Sequence, residues 1–119
     1  MALSNAGKHL MLNGFAAAAV YQSLHTADPT TVGNLEVVGG SPAYARKLID
    51  WAVAASGALT NEVTPLVFDI PAGTTVAWAG YWSALSGGTY YGARQLTSET
   101  YAGQGTYTVA VGEIDETVA

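Results

Sequence analysis

His25, Asp28 and Glu36 stand close together in the chain and combine an imidazole with two carboxylates, the donor types of a divalent metal site or an acid–base pair. A metal centre needs further ligands, and the chain offers only one other histidine, His9, and no cysteine. His25 is therefore expected to be a polar residue at a strand end that stabilises a turn, and His9 to lie on a helix surface or at an interface. Asp50, Glu62 and Asp69 could meet as paired carboxylates, but isolated acids on strands and loops ordinarily face solvent or hold a nearby donor. Serines are plentiful, yet there is no Gly-x-Ser-x-Gly elbow and no persuasive Ser, His and acid arrangement. Gly103-Gln104-Gly105 precedes a strand instead of opening a helix behind one, so it reads as a flexible turn and not a phosphate cradle. No catalytic, cofactor-binding or metal-binding residue is predicted, and the chain is not expected to be an enzyme.

The elements that hold these residues alternate with short intervals. Ser4 can cap a short amphipathic helix over Asn5 to Asn13, with Leu3, Gly7, Leu10, Met11 and Gly14 near one face and Gly14 expected to end it. So short a helix is marginal alone, and its apolar face must dock. From Ala17 to His25 a strand is expected, with Ala18, Val20, Gln22 and Leu24 opposite Ala19, Tyr21, Ser23 and His25. Asp28-Pro29 turns the chain into an extended loop over Thr30 to Ser41.

Tyr44 to Val53 is the next strand candidate, with Ala45, Lys47, Ile49, Trp51 and Val53 as its more apolar side. Ser56-Gly57 turns, Leu66 to Ile70 is a compact apolar run, and Pro71-Ala72-Gly73 turns again before Thr74 to Trp82. Gly87-Gly88 separates that run from Thr89 to Leu96, as in a hairpin. A last alternating run covers Thr106 to Val111, Gly112 is expected to bend it, and the acidic tail Glu113, Asp115 and Glu116 either continues an edge strand to Val118 or frays. The fold expected is mainly β: a single compact β-sandwich or barrel over residues 16–119, preceded by an N-terminal helical segment over residues 1–15.

The composition narrows the function. At 119 residues one core is enough, and only 11% of residues are Asp, Glu, Lys or Arg against 50% hydrophobic. Such a sparse charge coat suits burial against neighbours, so self-association is expected, with a trimer as one form it could take. The formal charge of −5 and only four basic residues argue against a nucleic-acid partner. Phe15 to Val20 is far too short to span a bilayer, which needs roughly 20 apolar residues, and Met1 to Ala6 lacks the basic start of a secretory signal. No membrane association is expected.

Trp51, Trp78, Tyr81, Trp82, Tyr90, Tyr91, Tyr101 and Tyr107 form a rich aromatic set, suited first to core packing, then to subunit contacts, then to stacking on glycans. Val76, Trp78 and Trp82 share strand parity and are expected on one buried face. Tyr81 and the adjacent Tyr90-Tyr91 pair are assigned to interfaces, because Tyr90 and Tyr91 cannot both point inward from a regular strand. The interface residues predicted are Leu3, Leu10, Met11, Tyr81, Tyr90, Tyr91 and Tyr101.

Four stretches carry a family likeness. They are Tyr-Gln-Ser-Leu-His-Thr-Ala-Asp-Pro-Thr-Thr from Tyr21 to Thr31, Gly-Gly-Ser-Pro-Ala-Tyr-Ala-Arg from Gly39 to Arg46, Asp-Ile-Pro-Ala-Gly-Thr-Thr-Val from Asp69 to Val76, and Gly-Tyr-Trp-Ser-Ala-Leu-Ser-Gly-Gly-Thr-Tyr-Tyr-Gly from Gly80 to Gly92. In this order they resemble small tailed-bacteriophage virion proteins, some of them tail-fibre or minor tail proteins. The resemblance implies a non-enzymatic structural protein of the virion, made in the cytoplasm of the bacterial host, with the major capsid protein or tail proteins as partners. A compact domain lacks the long repetitive shaft of a complete fibre and suits repeated docking on a shell, so a minor capsid or head-decoration role is expected. The competing expectation is a tail-fibre or minor tail module that contributes to receptor or glycan binding.

Overall fold

A computed structural model describes residues 2–61, 65–110 and 115–118. It opens with helix α1, Asn5–Ala18, whose first turn is closed by the Ser4 hydroxyl accepting from the Gly7 N–H at 3.2 Å. Eight strands follow: β1 Tyr21–His25, β2 Lys47–Leu48, β3 Ala58–Thr60, β4 Leu66–Ile70, β5 Thr74–Trp82, β6 Tyr90–Tyr101, β7 Gly105–Val109 and β8 Asp115–Thr117. The main sheet runs β2-β1-β5-β6, and β4 with β7 and β3 with β8 form two-stranded ribbons, every pairing antiparallel. Among the described residues the protein is mainly β with one N-terminal helix, and the sheets do not close into a barrel. Among the described residues, no helix is long and apolar enough to cross a membrane.

The alternation in β4 explains how the layers meet. Leu66, Phe68 and Ile70 are buried, while Val67 between them is 47% exposed. Together with Val109 of β7 they pack against Leu24 of β1 and Ala79 and Tyr81 of β5, so the ribbon covers one face of the main sheet as in a sandwich. The Pro71-Ala72-Gly73 turn, with Gly73 at φ +76°, carries the chain from the ribbon into the main sheet instead of closing a β4–β5 hairpin. The β5–β6 hairpin does form, and β6 runs on beyond Leu96 to Tyr101.

Several local expectations yield to tertiary contacts. The helix does not stop at Gly14 but continues to Ala18, because Phe15 is docked edge-on against Trp51, Tyr81 and Tyr91 at ring separations of 6.3, 5.5 and 6.3 Å. Burial of that ring offsets the helix cost of the preceding glycine, up to about 1 kcal/mol. The docked face is also different: Leu12 and Phe15 face the second core with Ala54 and Leu59, whereas Leu10 is 79% and Met11 50% exposed. Ala17 and Ala18 consequently belong to α1, and the first strand begins only at Tyr21.

Tyr44 to Val53 is not one strand. Only Lys47 and Leu48 pair with β1, after which Ile49 donates to the Val20 carbonyl and Trp51 bridges to Asn61. Ile49 is buried as expected, but Val53 is 80% exposed and Ala54 takes the inward place. In β5, Val76 is in the core with Ala79 and Tyr81, while Trp78 is only half-buried and lies beyond a register irregularity. Strand parity does not carry across that break. Val111, Gly112 and Glu113 lie outside the described residues, and the acidic tail resumes as β8 against β3.

Helix docking should therefore depend on Phe15. Phe15→Ala is expected to cost about 3 kcal/mol in urea denaturation, with a change in Trp51 fluorescence, whereas Leu10→Ala should stay within about 0.5 kcal/mol.

Candidate functional site

The candidate chemistry around His25 resolves into a buried polar chain on the sheet face opposite the sandwich core. Alternation along β1 and its register with β5 put Ser23, His25, Gly80 and Trp82 on one side. The Trp82 indole N–H donates to Ser23 Oγ at 2.8 Å, and Ser23 Oγ lies 2.7 Å from His25 Nε2. His25 Nδ1 is 2.7 Å from the Asn34 carbonyl, an acceptor only, so Nδ1 carries the proton and Nε2 accepts from the serine hydroxyl. Gly80 makes room for this pair: a Cβ there would stand 2.5 Å from Ser23 Oγ and 2.7 Å from His25 Nε2.

The Ser–His contact is not set up for nucleophilic attack. Both side chains are fully buried, and the imidazole is oriented by a backbone carbonyl instead of a carboxylate. Burial holds His25 below its ordinary value of 6.5, outweighing the Asn34 carbonyl and Glu36, which favour the charged form.

Asp28 and Glu36 do not join His25 in a metal site. Asp28 accepts from the Thr30 N–H at 2.8 Å, as a turn residue does. Glu36 grips Arg46: Oε1 accepts from Nη2 at 2.9 Å and Oε2 from Nε at 3.0 Å, while Tyr44 donates its hydroxyl to Oε2 at 2.8 Å. Arg46 Nη1 donates onward to the carbonyls of Ala84 and Gly87, and the guanidinium lies 3.8 Å over the Trp82 ring. One buried cation thus ties the loop after β1 and the loop after β5 to the same tryptophan. Burial, followed by the Glu36 charge, pushes the Tyr44 hydroxyl far above its usual value, so it remains a donor to the carboxylate.

The remaining chemical candidates are dispersed. His9 Nε2 accepts from the Gly57 N–H at 2.9 Å and so fastens α1 to a turn. Asp50 is exposed, Asp69 is half-buried in β4, and Glu62 lies outside the described residues. Gln104 clamps the Ser41-Pro42 segment through Ser41 N–H and the Pro42 carbonyl, each at 3.3 Å. Among the described residues, no group of three or more His, Asp or Glu could hold a metal ion.

The predicted interface residues divide by exposure. Leu10, Met11 and Tyr91 are exposed, and Met11 and Tyr91 both border Phe15. Leu3 is half-buried, Tyr90 is half-buried against Trp82 with its hydroxyl on the Thr30 carbonyl, and Tyr101 is half-buried with its hydroxyl on the Thr106 carbonyl. Tyr81 is not at the surface of the chain. It is 2% exposed among Phe15 and Trp51, and its hydroxyl donates to Glu116 at 2.9 Å, because the Tyr81 side of β5 faces the core.

The sequence reading missed the Arg46–Glu36 clamp. Its one signal was an arginine in the Gly39 to Arg46 stretch of a chain with only four basic residues.

A family model described as Podophage GP4 fiber I protein gp80 matches residues 3–117. The chain belongs to the podophage fibre I family. The match takes in all four stretches on which the phage resemblance rests, and it favours the fibre reading over the head-decoration reading. Comparison with curated proteins finds no match.

Two outcomes test the polar chain. Arg46→Lys supplies a charge but cannot span both Glu36 oxygens and two carbonyls, so urea denaturation should register a loss of about 3 kcal/mol. The second outcome concerns pH. The unfolded chain protonates His25 near pH 6.5 while the folded chain resists, so stability is fully present above that pH and falls as pH drops through the window down to the lowered folded value. Urea midpoints between about pH 7.5 and about pH 5 should decline, and less steeply in His25→Gln when each chain is referenced to its own value at the higher pH.

Proposed function

We propose that this chain is a structural subunit of a podophage fibre, a single compact domain that docks on copies of itself or on neighbouring tail proteins and contributes to contact with the host surface. The observation that carries the reading is the match of residues 3–117 to the fibre I family. Two features of the molecule support it. The loops that would meet a neighbour are held rigid by Arg46, which limits the ordering cost of association. Apolar side chains also stand free at several places, including Leu10, Met11 and Tyr91 beside α1, and Val38 and Leu85 beside the Arg46 clamp. With charged residues at 11%, such patches suit burial in an assembly.

No enzymatic role enters this reading. The buried serine and histidine are occupied with each other and with Trp82 and Asn34, and they serve the architecture.

Location on the particle is the decisive test. Antibody labelling and cryo-electron microscopy of intact virions should place the chain on tail-associated fibres in a small number of copies. Hundreds of copies spread over the shell would instead support head decoration and overturn the fibre assignment.

A further inference from the structure

Among the described residues, the edge strands of this fold are short with one exception. β2 has two residues, β3 and β8 three each, and β4 and β7 five each, whereas β6 runs for 12 residues at the outer end of the main sheet. Its inner side pairs with β5, and no described backbone group from Tyr90 to Thr100 has a hydrogen bond on the outer side. An unpaired edge of this length is a template for another strand, and folded chains ordinarily blunt it with lysine, proline, a bulge or a covering loop. β6 contains neither lysine nor proline. Its register against β5 breaks so that Leu96, Thr97 and Ser98 stand opposite Ala77 alone, which bends the edge without covering it. Arg94 is turned to the core side with Ala79 and paired with Glu116 at 2.9 Å, so Glu99 is the only charge on β6 without an ion pair.

We propose that β6 pairs with β6 of a second copy of this chain, antiparallel about a two-fold axis at Leu96, so that the main sheets of the two copies join into one. Main-chain hydrogen bonds supply the affinity of such a pairing, and side-chain pairs set its register. A two-fold axis normal to the sheet keeps each residue on its own face, so it sets residues of equal parity opposite each other. With Arg94 and Glu99 as the only charges on β6, like charges meet only if the axis passes through one of them. An axis at Leu96 instead sets Arg94 against Ser98, Glu99 against Ala93, and Tyr91 against Tyr101, an aromatic cross-strand pair. Leu96 also lines, with Tyr107 and Val109 of β7, a cleft of about 350 Å³ at the side of the sandwich. Arg94, Gln95, Leu96 and Thr97 follow one another along its wall, so the cleft opens on the edge of β6 and not on one face of the sheet. At the axis the two Leu96 side chains meet where the clefts join, and apolar surface that a single copy leaves open to water is covered.

This inference rests on the self-docking part of the fibre reading, and the two are tested separately. Light scattering after size-exclusion chromatography of the full chain, over a series of concentrations, should reach the mass of two copies of the 12.2 kDa chain. Gln95→Lys with Thr97→Lys sets lysine against lysine across the axis at exposed positions, so the mass should fall to one copy while the melting temperature holds. Gln95→Lys with Thr97→Glu sets opposite charges at the same places and should keep the dimer. If either variant does not fold, Leu96→Cys in a chain without cysteine should give a disulfide-linked dimer under mild oxidation, whereas Leu10→Cys on the exposed side of α1 should not. A mass of one copy at every concentration, a mass of three, or a dimer that survives the lysine pair overturns the proposal. A monomeric chain located on the fibre sinks the edge pairing and leaves the fibre assignment standing. A dimer broken by the lysine pair, in a chain located on the shell, supports the edge pairing and overturns the fibre role.

Discussion

The burial of one guanidinium organises the outer face of this protein. Arg46 is 9% exposed, and a cation so placed is tolerable only when its donors are occupied. Glu36 takes two of its N–H groups, the Ala84 and Gly87 carbonyls take another nitrogen, and Trp82 supplies a π face. Glu36 sits at a single backbone bridge to His25, and the Ala84 and Gly87 carbonyls lie in the turn between β5 and β6. Their geometry is fixed by the cation, and the loops could not relax without leaving it or Glu36 unpaired. Planarity matters here, since a point charge would satisfy one side of the clamp and abandon the other.

Beneath the clamp, hydrogen bonding and close packing meet at Trp82. Its ring lies under Arg46, its N–H reaches Ser23, and the Ser23–His25–Asn34 chain anchors the loop that carries Glu36. Two glycines make this possible. Gly80 leaves room for the Ser–His pair, and Gly33, at φ +76°, sits where a Cβ would fall 2.6 Å from the Trp82 ring. The opposite face of the sheet carries Leu24, Val76, Ala79 and Tyr81, so the same strands separate a buried polar layer from the sandwich core.

The aromatic residues divide between these layers in a way that bears on function. Phe15, Trp51 and Tyr81 weld α1 to the sandwich, and Tyr91 extends the cluster to the surface. Trp82 and Tyr90 belong to the clamp. Tyr107 instead lines the cleft beside the free edge of β6.

The sequence by itself determined what short-range physics controls. A compact apolar run marked Leu66–Ile70, the turn at Pro71-Ala72-Gly73 marked the start of Thr74–Trp82, Ser4 marked the helix start, Gly87-Gly88 marked the β5–β6 turn, and four ordered stretches marked a phage virion family. Partner choice was decided only in three dimensions. Leu66–Ile70 pairs with Gly105–Val109 and not with its neighbour, Phe15 rotates the helix face and carries it past Gly14, and Tyr81 turns inward while Trp78 stays half-exposed. The same holds for the candidate sites, since Arg46 meets carbonyls about forty residues away and β6 keeps a free edge because β7, the next strand in the chain, pairs with β4. Local pattern records periodicity and turns. The satisfaction of a buried charge or amide depends on atoms that folding alone brings together.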